Sequence, residues 1–308
     1  MSRASYKTAW LILGPTASGK TAASIQLAKQ LNTSIISADS RQCYREMSIG
    51  VAKPTMEELA AVHHDFINTH SIHETVDAKI FEQEALAAAE KVFEHHDHVV
   101  VTGGTGLYAK VFCEGIDELP NVDDRVRAEV RGQKRTVIQL QQWLKEIDPD
   151  YLQLTQETEN PARLMRAIEV KLSSGRSVIE FRTGEKQQRP FAIRKYGIEW
   201  PREVLYARIN QRVDEMFEAG LVEEATGLFA HKHLPAMQTV GYQEIFDYID
   251  GKYSLESARE KIKQHTRNYA KRQMTWFRKD KRINWIDADE NSDIDDLAGK
   301  VIKVFKSP

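Results

Sequence analysis

The 308-residue sequence has little of several features that mark particular protein classes. It contains only two cysteines, Cys43 and Cys113, so it predicts neither a disulfide framework nor a structural zinc site, and it favours a reducing compartment. No apolar run approaches the ~20 residues of a membrane helix, and the N-terminal apolar run lacks signal-peptide organisation. Internal repeats and low-complexity segments do not stand out. We therefore expect a cytoplasmic protein that has no membrane partner. We also predict a monomer, which these features do not bear on.

The sequence also has little net charge and no histidine in a zinc-like pattern. Its ten histidines are scattered or paired without the spacing to cysteine that is typical of zinc sites, so we interpret them as surface residues. The formal net charge is only −2, but residues 259–282 carry +8, from ten lysines and arginines against Glu260 and Asp280. This stretch is either the binding surface for a polyanion or a solvated, charge-rich helix.

A phosphate-binding loop is the most informative motif that is present. Residues 14–21 match GxxxxGK[ST], between an apolar run at Trp10–Leu13 and a helical pattern at Lys20–Leu31. In that context the loop's backbone N–H groups and the helix N-terminus would bind phosphates. Lys20 would reach a terminal phosphate, and Thr21 would hold Mg²⁺. The alternative is a chance match in a tight turn. The predicted binding residues are Gly14, Pro15, Thr16, Ala17, Ser18, Gly19, Lys20 and Thr21.

Strand-like and helix-like patterns alternate along the first third of the chain, which predicts an α/β fold with a mostly parallel sheet. The run at 98–102 is apolar on both sides, as a buried parallel strand requires, and ends in Gly103-Gly104-Thr105-Gly106. Ligands bind at the carboxyl edge of such sheets, so we expect Gly14–Thr21, Asp39–Gln42 and Gly103–Tyr108 to converge on one cleft. The predicted elements here are strands Trp10–Leu13, Ser34–Ala38 and His98–Thr102 and helices Lys20–Leu31 and Ala78–His95.

Composition shifts after Gly115 toward charged, helix-forming segments. We interpret residues 117–190 as a mainly helical insertion, which divides the sheet domain into residues 1–116 and 191–308. Residues 182–190 read as a polar loop. The other predicted elements are helices Asp124–Arg131 and Val137–Glu146, a helix with Leu164, Ile168 and Leu172, strand Ala192–Glu199, and helices Arg202–His231 and Leu255–Arg278.

Seven motifs in order give the sequence a family resemblance. They are GPTASGKT, SADSRQCY, AKP at 52–54, GGTGLY at 103–108, RLMRAIEV at 163–170, VGYQE at 240–244 and TRNYAKRQMTWFR at 266–278. This set resembles the tRNA dimethylallyltransferases, the bacterial-type tRNA isopentenyltransferases. The resemblance implies a P-loop NTPase-like core and a helical insertion that clamps the tRNA anticodon stem-loop. It also implies transfer of a dimethylallyl group from dimethylallyl diphosphate to N6 of adenosine 37, releasing diphosphate.

The resemblance assigns three catalytic residues. Asp39 would be the general base, although the same carboxylate positions magnesium in an ordinary P-loop enzyme. Thr105 would contact the target nucleotide, or else belongs to a tight turn. Arg212 would contact the diphosphate together with Arg208, one helical turn earlier, unless these are surface arginines. The loop would thus hold a diphosphate with Mg²⁺, although its motif is an ATP- and nucleotide-binding signature.

The predicted RNA contacts are more numerous. We expect Lys271 and Arg272 to lie on an RNA-binding face distant from the phosphate loop, and we interpret Trp276 and Phe277 as core residues. Asn160-Pro161 departs from the family's usual Asn-Asp-Pro and leaves the start of the arginine helix uncertain. The predicted tRNA-binding residues are Asp39, Ser40, Arg41, Gln42, Thr105, Arg127, Arg163, Leu164, Met165, Arg166, Ala167, Gly241, Tyr242, Gln243, Lys271 and Arg272.

Three other functions compete with this hypothesis. A small-molecule kinase would explain the phosphate loop but not the VGYQE segment or the basic stretch. An adenylate isopentenyltransferase acting on free AMP would not need so much polyanion-binding surface. A GTPase-like switch would need an Asn-Lys-x-Asp guanine motif, which the sequence does not contain.

Overall fold

The computed structural model describes residues 7–155, 158–289, 297 and 299–303. Within these residues six strands form one sheet in the order β3-β2-β4-β1-β5-β6, and every pairing is parallel. The predicted α/β fold with a parallel sheet is therefore confirmed. The strands are β1 Thr8–Leu13, β2 Ile35–Ser37, β3 His64–Asp65, β4 His98–Gly103, β5 Ala192–Glu199 and β6 Asn284–Asp287.

Helices connect and cover the strands. On the N-terminal side of the sheet domain these are α1 Lys20–Leu31, α2 Met56–Ala61, α3 Ala78–His95 and α4 Gly106–Glu114. The middle of the chain contributes α5 Asp124–Arg131, α6 Val137–Ile147, α7 Pro149–Leu154 and α8 Pro161–Ser174. The C-terminal part contributes α9 Arg202–Glu218, α10 Leu221–Gly227, α11 Tyr242–Ile249 and α12 Leu255–Phe277.

The central strands are buried on both faces, because helices cover a parallel sheet from both sides. All six residues of β1 are buried, and its register aligns Leu13 with Gly103 of β4 and with Gly197 of β5. On the other side of β4, Ser37 of β2 pairs with Thr102. The segments that follow β1, β2 and β4 therefore leave the sheet at the same edge.

Several local expectations were wrong. Arg202–His231 is not one helix, because Gly220 adopts a left-handed φ of 100° between α9 and α10. The short elements α2, β3 and β6 were not predicted. The surface interpretation of the histidines fails for His64 and His70, which are buried. Among the described residues, no helix is both long and apolar enough to cross a membrane.

Residues 115–187 form a compact unit of their own, separate from the unit of residues 1–114 and 188–308. Its hydrophobic core centres on residues of α6, α7 and α8. The Asn160 side chain accepts hydrogen bonds from the N–H groups of Ala162 and Arg163, with Pro161 at the first turn, so α8 has a regular N-cap. The buried Glu169 accepts two hydrogen bonds from Arg131, at 2.5 and 3.2 Å.

Candidate active site

The phosphate loop between β1 and α1 is braced by side chains at three of its carbonyl groups. Lys20 Nζ lies 3.1 Å from Pro15 O, Arg208 Nε donates to Ala17 O at 2.9 Å, and Trp200 Nε1 donates to Ser18 O at 3.0 Å. The N–H groups at the start of α1 have no partner within the helix and remain available to an anion. The fold thus braces this loop through its carbonyl groups and leaves the N–H donors at the start of α1 without intrahelical partners.

The loop opens into a cavity of about 420 Å³ in the first unit. The cavity joins the phosphate loop to the segment after β2, the end of β4 and helices α9 and α12. Polar and glycine residues that these segments contribute to its lining include Thr16, Lys20, Thr21, Asp39, Ser40, Arg41, Gln42, Thr102, Gly103, Arg212 and Arg272. The apolar residues that line the same cavity are Val51, Ile209, Val213, Met216, Val240 and Ile262. One cavity is therefore lined by both cationic and apolar side chains.

The segment after β2 is fixed by side-chain contacts with its own backbone and with the turn after β4. Asp39 Oδ1 accepts from the N–H of Arg41 at 2.9 Å, and Thr105 Oγ1 accepts from the N–H of Ser40 at 3.0 Å. Gln42 donates to the carbonyl of Ala52 at 3.0 Å. Thr105 thus stands behind Ser40, while Asp39 itself faces the cavity.

Positive charge is concentrated at the phosphate end of the cavity. Burial lowers the pKa of Lys20 to about 8, an effect that Asp39 opposes and the charge of Arg212 adds to. Burial, followed by the neighbouring charge of Arg208, also lowers the pKa of Arg212. Cations held together in this way are destabilised without an anion, so the site favours a multiply charged negative ligand.

The two arginines of α9 occupy different positions. Arg212 lines the cavity, as expected for a residue that contacts the ligand. Arg208 instead lies behind the loop, with its guanidinium 4.5 Å from the centre of the Trp200 ring and its Nε bonded to Ala17 O. Arg208 therefore holds the shape of the loop, and any contact with the phosphates would be additional.

Two residues of α12 that we did not predict reach the same cavity. Tyr269 lies beside Thr105 and Asp39, and burial followed by the Asp39 charge raises its pKa to about 12. Gln273 is buried and contacts both the phosphate loop and the turn after β4. Both lie in the family motif at residues 266–278. That motif does not indicate which of its side chains reach the cavity, and the fold shows that these two do.

The predicted RNA contacts in the first unit divide between the cavity and the surface. Gly241 and Gln243 line the cavity, whereas Tyr242 is fully buried and donates to Glu224 Oε1 at 2.6 Å. Arg272 also lines the cavity, so the expectation that it lies far from the phosphate loop is wrong. Lys271 lies in an exposed groove on α12.

The groove on α12 also corrects the expectation for one aromatic residue. Phe277 is buried, but Trp276 is 37% exposed, because α12 turns this face toward solvent. The groove is lined by Asn268, Lys271, Arg272, Thr275, Trp276 and Lys279. An indole among cationic side chains is typical of surfaces that bind nucleic acids.

The remaining predicted RNA contacts belong to the compact unit of residues 115–187. Arg127, on α5, is exposed and lies 3.3 Å from Asp124, while Arg166, on α8, lies 3.6 Å from the carboxylate of Glu169. Arg163 and Met165 are half-buried on α8. Leu164 and Ala167 are fully buried in the core of this unit, backbone included, so neither presents a surface to a ligand. Their contacts with RNA remain predictions.

The residues of the cavity are compatible with magnesium. Thr21 presents a hydroxyl and Asp39 a carboxylate to the same space, and oxygen ligands are those that Mg²⁺ prefers. Within the described part of the chain, no cluster of three or more histidine, cysteine or acidic residues forms a dedicated metal cage. This arrangement suits an ion that is held by few protein ligands together with the phosphates of a substrate.

Known proteins resemble the chain over nearly its whole length. The sequence profile of the IPP transferase family matches residues 42–280. A tRNA dimethylallyltransferase of Cytophaga hutchinsonii is 46% identical over 286 residues, which cover 92% of this chain and 94% of that protein. The crystal structure of a tRNA isopentenylpyrophosphate transferase from Bacillus halodurans superposes with a TM-score of 0.70 at 34% identity. That match covers 97% of this chain and 98% of the other.

A more distant structure has the same fold. A eukaryotic dimethylallyltransferase acting on tRNA superposes with a TM-score of 0.80, covering 98% of this chain and 80% of that one. At 24% identity this likeness shows the fold alone. Because the family profile and relatives of high identity extend over most of the sequence, the chain belongs to the IPP transferase family, the tRNA dimethylallyltransferases.

Proposed function

We propose that the protein transfers a dimethylallyl group from dimethylallyl diphosphate to N6 of adenosine 37 of tRNA and releases diphosphate. One observation carries this proposal. A single cavity is lined by the phosphate loop with Lys20 and Arg212, by the Asp39 carboxylate, and by apolar side chains that include Val213 and Met216. A diphosphate with a short hydrocarbon chain matches these two chemistries.

The cationic end of the cavity would stabilise the departing diphosphate. Attack on the allylic carbon breaks its bond to oxygen, and negative charge develops on the leaving group. Lys20, Arg212 and the N–H groups at the start of α1 are fixed there before reaction, and preorganised charges of this kind contribute strongly to catalysis. Magnesium bound with the diphosphate would supply further positive charge, with the Thr21 hydroxyl as its protein ligand.

Asp39 would remove a proton from adenine N6. This amine is a poor nucleophile because its lone pair is delocalised into the ring, so loss of the proton must accompany attack. The Asp39 carboxylate faces the cavity and is held by the Arg41 N–H. Tyr269 lies next to it and would orient the target base, while Thr105 holds the Ser40 N–H in place.

The partner would be the anticodon stem-loop of tRNA. In the first unit, Arg41, Gln42, Gly241, Gln243 and Arg272 surround the cavity and would contact the nucleotides beside the target base. The unit of residues 115–187 offers Arg127, Arg163 and Arg166, whose charges suit phosphate contacts. We further propose that the protein acts in the cytoplasm as a monomer.

Transfer of labelled dimethylallyl diphosphate tests the proposal. We expect label in an anticodon stem-loop with adenosine at position 37, and none when guanosine replaces it or when AMP is offered. Label in AMP but not in RNA would make the protein an adenylate isopentenyltransferase. Phosphoryl transfer from ATP to a small acceptor, without prenyl transfer, would make it a kinase.

A further inference from the structure

Gln273 joins the two turns that begin at the carboxyl ends of β1 and β4. Its Oε1 accepts from the Thr16 N–H at 3.0 Å, and its Nε2 donates to Gly104 O at 2.9 Å. A Cβ atom added to Gly104 would lie 2.3 Å from that Nε2, so the glutamine amide fills the space between the turns. Only 6% of the residue is exposed.

The position of this amide matters because a phosphate loop binds through its backbone donors. The N–H groups at the start of α1 hold one end of a phosphate chain, and the loop lysine reaches its terminal phosphate. Lys20 Nζ lies 3.1 Å from Pro15 O. Because this lysine reaches the terminal phosphate, that phosphate would lie at the Pro15–Thr16 end of the loop. The Thr16 donor at this end is already occupied by Gln273.

We propose that Gln273 is a specificity-determining residue that fills the position of a third phosphate and limits the loop to a two-phosphate chain. This inference rests on the proposed function, in which the ligand of the loop is a diphosphate. A triphosphate would have to displace the glutamine, leaving its amide and the Gly104 carbonyl unpaired in a buried place, which disfavours the longer ligand.

Calorimetry with pyrophosphate and inorganic triphosphate, both with excess Mg²⁺, measures this preference. We expect the unmodified protein to bind pyrophosphate at least about tenfold more tightly than triphosphate. Q273A, which opens the space, should reduce that ratio at least about fivefold by gaining affinity for triphosphate. Q273L keeps most of the volume without the hydrogen bonds, so it should weaken both ligands and retain the preference.

Matched variants keep the result interpretable. Q264A removes an exposed glutamine from the same helix and should leave the ratio unchanged. If Q273A does not fold, Q273N opens a smaller space and should shift the ratio in the same direction. Any one of three results would overturn the proposal. The unmodified protein could show no preference for pyrophosphate, or the ratio could be unchanged in the folded Q273A or Q273N protein. The third result is a Q273L protein that loses the preference as fully as Q273A.

The prenyl-transfer assay, run in parallel, separates this proposal from the proposed function. Prenyl transfer to RNA together with an unchanged phosphate ratio would overturn only the role of Gln273. A shifted ratio without any prenyl transfer would overturn the proposed function, while the limit on phosphate-chain length would stand.

Discussion

At the scale of single residues, Asp39 offers the sharpest test of the chemistry. Asp39→Asn keeps the size of the side chain and its ability to accept from the Arg41 N–H, but it removes the basic carboxylate. We expect the single-turnover rate of prenyl transfer to fall by roughly 10²-fold or more, because a general base contributes ~10²–10⁴-fold. Binding of tRNA and of dimethylallyl diphosphate should change only a few-fold. A variant that transfers at nearly the original rate would show that Asp39 is not the base.

The lowered pKa of Lys20 predicts a pH dependence of anion binding. Because this pKa is about 8 in the free protein, the ammonium is charged below pH 8 and loses its proton as pH rises through that value. A bound diphosphate favours the charged form, so we expect pyrophosphate affinity to fall above pH 8 and proton uptake to accompany binding there. Calorimetry at pH 7 and pH 9.5, in two buffers of different ionisation enthalpy, measures both effects.

Lys20→Arg is the control for titration of the ligand itself. Its guanidinium stays charged over this range, so the variant should lose less affinity than the unmodified protein between the two pH values. An equal loss in both proteins would assign the effect to pyrophosphate rather than to Lys20.

At the scale of elements, helix α10 holds the wall of the cavity through Glu224. Its carboxylate accepts from the N–H groups of Ser48, Ile49 and Gly50, at 2.9–3.0 Å, and from the Tyr242 hydroxyl. Gly50 leads directly into Val51 and Ala52, which line the cavity and bind the Gln42 side chain. The Glu224 carboxylate thus fixes residues 48–50, and these lead into the carbonyl groups that the Gln42 side chain contacts.

Glu224→Ala should therefore reduce both stability and substrate binding. We expect the free energy of unfolding to fall by about 1.5–3 kcal/mol, as hydrogen bonds to a charged group are lost, and KM for tRNA to rise. Denaturant unfolding and steady-state kinetics measure the two effects. Glu223→Ala, at an exposed position of the same helix, should change neither. Unaltered stability in the Glu224 variant would contradict the role of this contact.

The elements differ in how far the sequence predicts them. The phosphate loop and α1 follow from local patterns, and the predicted bounds Lys20–Leu31 agree with the structure. Gln273 and Glu224 do not follow in this way, because the backbone groups that they bind lie 169 and 257 residues away for Gln273 and 174–176 residues away for Glu224. From the sequence alone, a glutamine or glutamate on a helix is expected to be solvated. Only the three-dimensional structure shows which backbone groups it binds.

At the scale of the whole molecule, the uneven charge predicts a localised RNA-binding surface. Lys271 and Lys279 lie in the groove on α12 but not among the residues that line the cavity, so they suit a charge reversal better than Arg272 does. K271E/K279E should weaken binding of an anticodon stem-loop and flatten its salt dependence. Each lost phosphate contact removes roughly 0.7–0.9 from the slope of log K against log salt.

Gel-shift titrations at two salt concentrations measure both effects. K29E/K91E makes the same change in net charge at exposed positions of α1 and α3, and it should bind RNA like the unmodified protein. Pyrophosphate affinity should stay within about twofold in both double variants. If the two bind RNA equally well, the groove on α12 is a solvated surface, and the RNA contacts must be sought on residues 115–187.

The bond between Gln273 and Thr16 also has a consequence for biosynthesis. The ribosome synthesises the phosphate loop early, but Gln273, which braces Thr16, follows 257 residues later. Strand β5, the neighbour of β1 in the sheet, is likewise synthesised only after residues 115–187. Contacts between such distant segments form slowly, because a long chain must close on itself first. A nascent chain that ends before α12 therefore exposes the phosphate loop without its brace. We expect the preference for pyrophosphate over triphosphate to appear only once α12 has left the exit tunnel.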